Sequence, residues 1–273
     1  MSTHSSTDTT TAPVVGGDPS TDQHRPATAL EGRPGVPFSR TLQAELRKIV
    51  DTRAGLWMVV VMVGLAAVVL AAAVIWGSAD DSSFNGLLQL ATLPLATVLP
   101  ILGIMAATAE WSQRTGLVTF ALEPRRGRVV LAKAVASMLF AVLVLVVAVA
   151  ASAFVNVVAG TGEWDLTAAV AGGLFLAMML YVLQGVAFGL VFLNTPISIV
   201  AVLVLPSIWG IATQLIGRLE TIGEWVNLDR VMVPLFAGEM GGQEWAQLAT
   251  GVAAWVLLPL AIGTYRVLNR EVK

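Results

Sequence analysis

Few residues of this chain are of a type and spacing to do chemistry. Cysteine is absent, and the two histidines, His4 and His24, both fall in a polar stretch near the N-terminus. Thiolate chemistry and cysteine-ligated metals are therefore excluded, as is a histidine-based triad or zinc site in the rest of the chain. Ser137 follows Lys133 at a helical i, i+4 spacing, which could place a serine–lysine dyad on one face. Lys133 stands at the start of a long apolar run, however, and reads better as its charged flank. Charge concentrates in EWSQRTGLVTFALEPRRGR, residues 110–128, which holds four arginines and two glutamates between two apolar runs. Glu110 and Arg114 stand at i, i+4 in the order that favours a helical ion pair. Leu117, Val118, Phe120, Ala121 and Leu122 then give an apolar strip, Pro124 a stop, and Arg125, Arg126 and Arg128 a basic cluster. An apolar strip combined with charge and a stop suits a short helix docking on a soluble partner as well as a solvated loop. The phosphate-cradling pattern G-x-x-x-x-G-K-[ST] occurs nowhere, so the chain is expected to hydrolyse no ATP itself.

The elements that must position these residues are set by the solvent the composition implies. The 273 residues are 56% hydrophobic and 12% charged, with a mean hydropathy of +0.78. Soluble domains carry about 25% charged residues, so lipid is the expected surroundings. A helix crossing the hydrocarbon core needs about 20 mostly apolar residues. Six stretches qualify: 56–76, 87–108, 130–157, 168–193, 197–217 and 246–265. None contains Asp or Glu, and runs this long can satisfy their backbone polar groups only as helices.

Orientation follows from the basic residues. Arg25, Arg33, Arg40, Arg47, Lys48, Arg53, Arg114, Arg125, Arg126, Arg128, Lys133, Arg266, Arg270 and Lys273 fall to one side of a six-span arrangement. Only Arg218 and Arg230 of the 16 lysines and arginines fall to the other. The positive-inside rule places both termini in the cytoplasm of a multi-pass plasma-membrane protein. Trp57, Trp76, Trp111, Trp164 and Trp245 fall at span ends, where an amphipathic ring suits the headgroup region.

Residues 1–37 are rich in Ser, Thr, Pro, Gly and Asp and are expected to form a disordered cytoplasmic tail. The membrane domain is expected over 38–273. It opens with FSRTLQAELRKIVDTR, residues 38–53, in which Phe38, Leu42, Leu46, Ile49 and Val50 recur at helical spacing. Arg47 and Lys48 fall elsewhere on the wheel. That pattern predicts an amphipathic helix lying along the cytoplasmic interface, its cations near anionic headgroups.

The run EWSQRTGLVTFALEPRRGRVVLAK, with Glu110, Thr115, Pro124, Arg128 and Lys133, resembles the membrane subunits of ABC transporters, specifically ABC-2 type permeases. The upstream helix ending EL-R-K and the closing WVLLPLAIGTYRVLNREVK support the likeness, which covers roughly residues 38–273. The resemblance implies an all-α integral membrane fold of the type V exporter kind, with six transmembrane helices and an N-terminal "elbow" helix. Phe38, Leu42, Leu46, Arg47, Lys48 and Ile49 would belong to that elbow. It further implies a dimer with a second copy or a paralogue, and a separate ABC-type ATPase subunit that binds ATP and Mg. Glu110, Arg114, Thr115, Pro124, Arg125, Arg126 and Arg128 would couple the permease to that ATPase. Most of the family are exporters, so export is the implied direction. Short helices over 218–244 would cap the outer end of the pathway.

Polar residues inside the spans include Gln89, Thr92, Asn156, Gln184, Thr213 and Gln214, the candidates for a translocation path. Each is equally suited to interhelical glue worth about 0.6–2 kcal/mol. With no carboxylate inside a span, no proton or cation relay is expected, nor a metal, nor a nucleic-acid partner. The reading that follows is a permease subunit of an ATP-driven exporter. The alternative is a non-transporting membrane anchor or regulatory subunit, and an intramembrane enzyme lacks the carboxylates or histidine it would need. Nothing in the sequence encodes the cargo.

Overall fold

The computed structural model describes residues 37–113, 115, 119 and 125–269. Residues 1–36 of the expected tail, Arg114, residues 116–118 and 120–124, and the last four residues lie outside the described residues. Among the described residues every regular element is helical.

The elbow, α1, runs Phe38–Val50 and ends at Asp51, whose N–H closes on Arg47 O. Thr52 then caps α2, Arg53–Trp76, its hydroxyl accepting from Gly55 N at 3.1 Å. The chain turns sharply here, and Gly55 makes that possible. A Cβ at this position would run into the Ile49 carbonyl.

Three of the remaining spans begin on similar signals. Ser83 caps α3, Phe84–Ser112, accepting from Gly86 N. Helix α4 covers Arg126–Val158. Thr167 caps α5, Ala168–Phe192, and Asn194 caps α6, Thr195–Leu215, with Pro196 in its first turn. Ser, Thr and Asn are favoured at these positions because their side-chain oxygens satisfy otherwise orphaned N–H groups. Two short helices follow, α7 at Glu220–Val226 and α8 at Leu228–Ala237. The last span is α9, Gly242–Val252, continuing through one π-helical turn, Ala253–Leu257, into α10, Leu258–Asn269.

Six helices are thus long and apolar enough to cross a membrane, at 53–76, 84–112, 126–158, 168–192, 195–215 and 242–269. They match the expected runs, with two differences that matter for function. Helix α3 continues through Glu110, and α4 begins one turn or more before the apolar run does. Lys133 falls inside the third apolar helix, as its place in the 130–157 run implied, but Glu110 also lies on a helix long and apolar enough to cross a membrane, which corrects the expectation that carboxylates are absent from the spans.

Helices α3 and α5 form the centre. Gly185 of α5 meets the Pro100 backbone, Gly103 of α3 meets Val182 O, and Gly189 meets Ile104 and Ala107. Small residues let two backbones approach where lipid gives no hydrophobic drive for helices to associate. Around this axis α2, α4 and α10 pack, with Met62, Leu99, Ala136, Phe140, Met178 and Val182 fully or nearly buried between them. Helix α8 also inserts its apolar side, burying Leu228, Val231, Met232 and Leu235 against this same cluster. Short helices thus form within 218–244, at Glu220–Val226 and Leu228–Ala237, with 238–241 outside any helix. Trp255, on the π turn, reaches across to donate its indole N–H to Val226 O at 2.6 Å.

Candidate functional site

The strongest concentration of charge inside the fold is a group of four side chains at the end of the bundle where α1 lies. Glu45 comes from α1 and is 4% exposed; Glu110 from the last turns of α3 is 3% exposed; Lys133, two turns into α4, is 3% exposed. Lys48, one turn on from Glu45, completes the set. Lys133 Nζ donates to Glu45 Oε2 at 2.9 Å, to Glu110 Oε1 at 2.7 Å and to Ala106 O at 2.8 Å. Its three protons are all taken. Lys48 Nζ donates to Glu45 Oε1 at 2.6 Å and to Glu110 Oε1 at 2.9 Å.

The quartet carries two positive and two negative charges, so it is neutral as a unit. Neutrality and dense hydrogen bonding are what make buried ions tolerable, since an unpaired buried charge costs several kcal/mol. Burial alone would lower the pKa of the Lys48 ammonium, but attraction to Glu110 and Glu45 outweighs it and holds the group above 10.5. Mechanically, the quartet pins the elbow to the two helices that flank the connector 113–125. A pull on either end of that connector is met by the same four side chains.

The basic cluster after the connector is also placed. Arg125 is exposed immediately before α4, and Arg128 N bonds to Arg125 O at 2.8 Å. Arg126 Nη1 donates to Val267 O on α10 at 3.0 Å, while Arg266 Nη1 donates to Val191 O on α5. These bonds tie the final helix to α4 and α5 at the same end as the quartet. Thr115 is exposed, its N–H on Glu110 O at 3.0 Å. Arg114 and Pro124 lie outside the described residues, and with them the expected Glu110–Arg114 pair. The Glu110 carboxylate faces two lysines inside the fold.

Of the elbow residues, Ile49 is buried, Leu42 and Leu46 pack against the core cluster, and Arg47 is exposed. Val50, assigned from its spacing to the apolar face, is instead 57% exposed. The inward stripe is Leu42, Glu45, Leu46 and Ile49, at i, i+3, i+4 and i+7. Sequence reasoning missed Glu45. The available signal was its place on that stripe together with a lysine inside the third apolar run needing an acid.

Ser137, the other half of the imagined dyad, is buried with its hydroxyl unbonded, and Lys133 is committed to two carboxylates. The path candidates do not converge. Gln89 Nε2 bonds within its own helix to Asn85 Oδ1, and Thr92 and Thr213 bond back to their own turns. Asn156 organises the loop after α4, donating to Glu163 O and accepting from Gly162 N, both at 3.1 Å. Gln184 is buried on α5, and Gln214 is exposed on α6.

Beside the quartet lies a cavity of about 410 Å³, within the range of roughly 300–1,000 Å³ common for small-ligand sites. Its walls come from α1, the start of α2, the end of α3, Thr115 and Thr119 of the connector, and Thr195 at the start of α6. None of the path candidates lines it. A second cavity of about 430 Å³ between α2 and α4 is lined by apolar residues, Met62, Leu70, Val144 and Phe154 among them. Among the described residues no group of His, Cys, Asp and Glu is arranged to hold a metal ion. No protein-family description matches this chain, and a search of curated proteins finds none similar to it.

Proposed function

We propose that this chain is the permease subunit of an ATP-driven transporter of the ABC-2 type, working as an exporter with both termini in the cytoplasm. The observation that carries the reading is the buried quartet. It clamps an amphipathic elbow to the two spans that flank a basic connector, so a force applied to the connector moves α1, α3 and α4 as one body. A separate ATPase, holding ATP and Mg, docks on the connector through Thr115 and the arginines Arg125, Arg126 and Arg128. Glu110 acts one layer inside, passing the displacement on without touching the partner. Nucleotide-driven closure of two ATPase subunits then tilts the spans against a second copy or a paralogue. Such a switch needs two discrete packings whose balance a ligand on the partner biases. Helix α6 suits the dimer contact, because it is the least covered of the six spans and presents Val200, Leu203, Val204, Ile208 and Ile211 outward.

The test is isolation of the full chain from its native membrane under mild detergent. A Walker-motif ATPase is expected to accompany it, and the chain alone should show no ATP turnover. Changing Glu110 or Arg126 to Ala should abolish efflux driven by the pair while leaving membrane insertion intact. Efflux unchanged with both replaced would defeat the coupling scheme. Recovery of the chain without any ATPase would favour the anchor or regulatory reading.

A further inference from the structure

The cavity beside the quartet has a hydrogen-bonding character that can be worked out atom by atom. Thr108 Oγ1 donates to Ile104 O at 2.9 Å and lies 2.7 Å from Thr195 Oγ1, which in turn lies 2.9 Å from Ser112 Oγ. Each hydroxyl has one proton to give. All three bonds coexist in only one way: Thr108 donates to Ile104, Thr195 to Thr108, and Ser112 to Thr195. Every proton of the chain is then taken, and the chain offers the cavity lone pairs only.

Lys48, on the same cavity wall as the quartet, is the reverse case. Two of its three protons point at Glu45 and Glu110. The third is taken by no described residue, and the side chain is 41% exposed. Ile49, Met58, Leu102 and Met105 give the cavity an apolar side, while Thr52, Gln113, Thr115 and Thr119 add uncharged polar groups elsewhere on its lining. One wall therefore accepts, Lys48 is the point that donates with positive charge, and an apolar side lies along Ile49, Met58, Leu102 and Met105.

We propose that this cavity holds the head of a membrane phospholipid bearing a primary ammonium, the phosphatidylethanolamine class. The ammonium N–H groups meet the lone pairs of Ser112 and Thr195. The phosphate meets the third proton of Lys48, and the first methylenes lie along Met58, Leu102 and Met105. A head with only negative charge brings no cation to the hydroxyl lone pairs, and any hydroxyl it carries makes only a neutral hydrogen bond there. A trimethylated head keeps the positive charge but has no N–H to give. The quartet is neutral overall, so it selects for no net charge, which a zwitterion satisfies. Position agrees with this occupant: the amphipathic α1 turns at Asp51 into α2, and helices of that kind lie at the headgroup level. A lipid enters there without leaving its leaflet. The assignment is independent of whether the chain transports anything.

The experiment uses the full chain in lipid-free detergent, with native mass spectrometry counting bound dioctanoyl lipids. Dioctanoyl phosphatidylethanolamine should bind roughly tenfold tighter than the phosphatidylcholine analogue, the scale of one charge-assisted hydrogen bond. The phosphatidylglycerol analogue should bind no better than phosphatidylcholine. Thr195→Val and Ser112→Ala should each bring ethanolamine binding down towards the choline value and leave choline binding unchanged. Ser112 is exposed, so that variant keeps its fold. Free phosphoethanolamine should not compete at concentrations where the lipid saturates. Equal binding of the ethanolamine and choline lipids would overturn the proposal, as would a preference for phosphatidylglycerol. A preference that survives both substitutions would do the same, and competition by the free head group at lipid-like concentrations would refute a lipid occupant.

Discussion

Replacing Lys133 by Met tests the energetic reasoning behind the quartet. Lys133 is 3% exposed and makes three hydrogen bonds, two of them to carboxylates. Methionine matches its length and flexibility, so packing is largely retained and the change is mainly one of charge. With Lys133 gone, Glu45 and Glu110 share only Lys48, and the site carries a net charge of −1. Breaking a buried ionic group by removing one partner costs about 3–5 kcal/mol. For a domain of this size each kcal/mol shifts the midpoint by roughly 2–4 °C, so K133M should unfold some 6–20 °C below the parent. The assay is intrinsic tryptophan fluorescence of the full chain in detergent during a thermal ramp. The double variant K133M/E110Q restores neutrality, leaving Glu45 with Lys48, and should recover at least half of the loss. A K133M midpoint within about 2 °C of the parent would refute the argument that these charges are held as one desolvated group. A double variant worse than the single one would refute it too.

Three further outcomes are expected. Gly185→Leu should separate α3 from α5, because even a Cβ there meets the Pro100 backbone; overpacking costs about 1–3 kcal/mol or more, visible as lost expression or a lowered midpoint. Asp165 accepts from Asn85 N and the Ser83 hydroxyl, both at 2.9 Å, at the start of α3. Burial would push its carboxyl upward, but those two donors hold it below 3.8. The stabilisation it gives is thus present above that value and lost as pH falls through the depressed one; Asp165→Ala should lower the midpoint at neutral pH, and its difference from the parent should shrink in thermal ramps at successively more acid pH. Lys48 has the opposite sign. Its raised pKa means its contribution is complete below 10.5 and fades as pH rises above that. Protease cleavage at Arg47 should therefore stay slow across neutral pH and accelerate only in strong alkali, whereas in Lys48→Met it should be fast throughout.

Much of the architecture was legible because membrane spans are a local, averaged signal. Twenty apolar residues in a row need no partner to be recognised, and the skew of arginine and lysine needs only counting. The elbow was legible for the same reason, through the spacing of Phe38, Leu42, Leu46 and Ile49. The span caps Thr52, Ser83, Thr167 and Asn194, which the sequence reading did not single out, are also short-range chemistry, each accepting from an N–H three residues on.

The site was a different matter. Glu45 and Lys133 are 88 residues apart, Lys48 and Glu110 are 62 apart, and Thr108 and Thr195 are 87 apart. Glu110 read by its neighbours alone pairs with Arg114, four residues away. In the folded chain it faces Lys48 and Lys133, because α3 runs longer than its apolar segment and carries the carboxylate inside. Lys133 read alone is a flank; once α1 lies across α4 it becomes the centre of a neutral group. The sequence by itself determined that this chain carries six segments long and apolar enough to cross a membrane, and that its basic residues gather at one end of that set. Which charges meet at that end, and that three hydroxyls spend their protons on one another beside a lysine that does not, only tertiary structure decided. Hydropathy is a property of each segment, whereas an ion pair exists only when two segments are brought within about 3 Å.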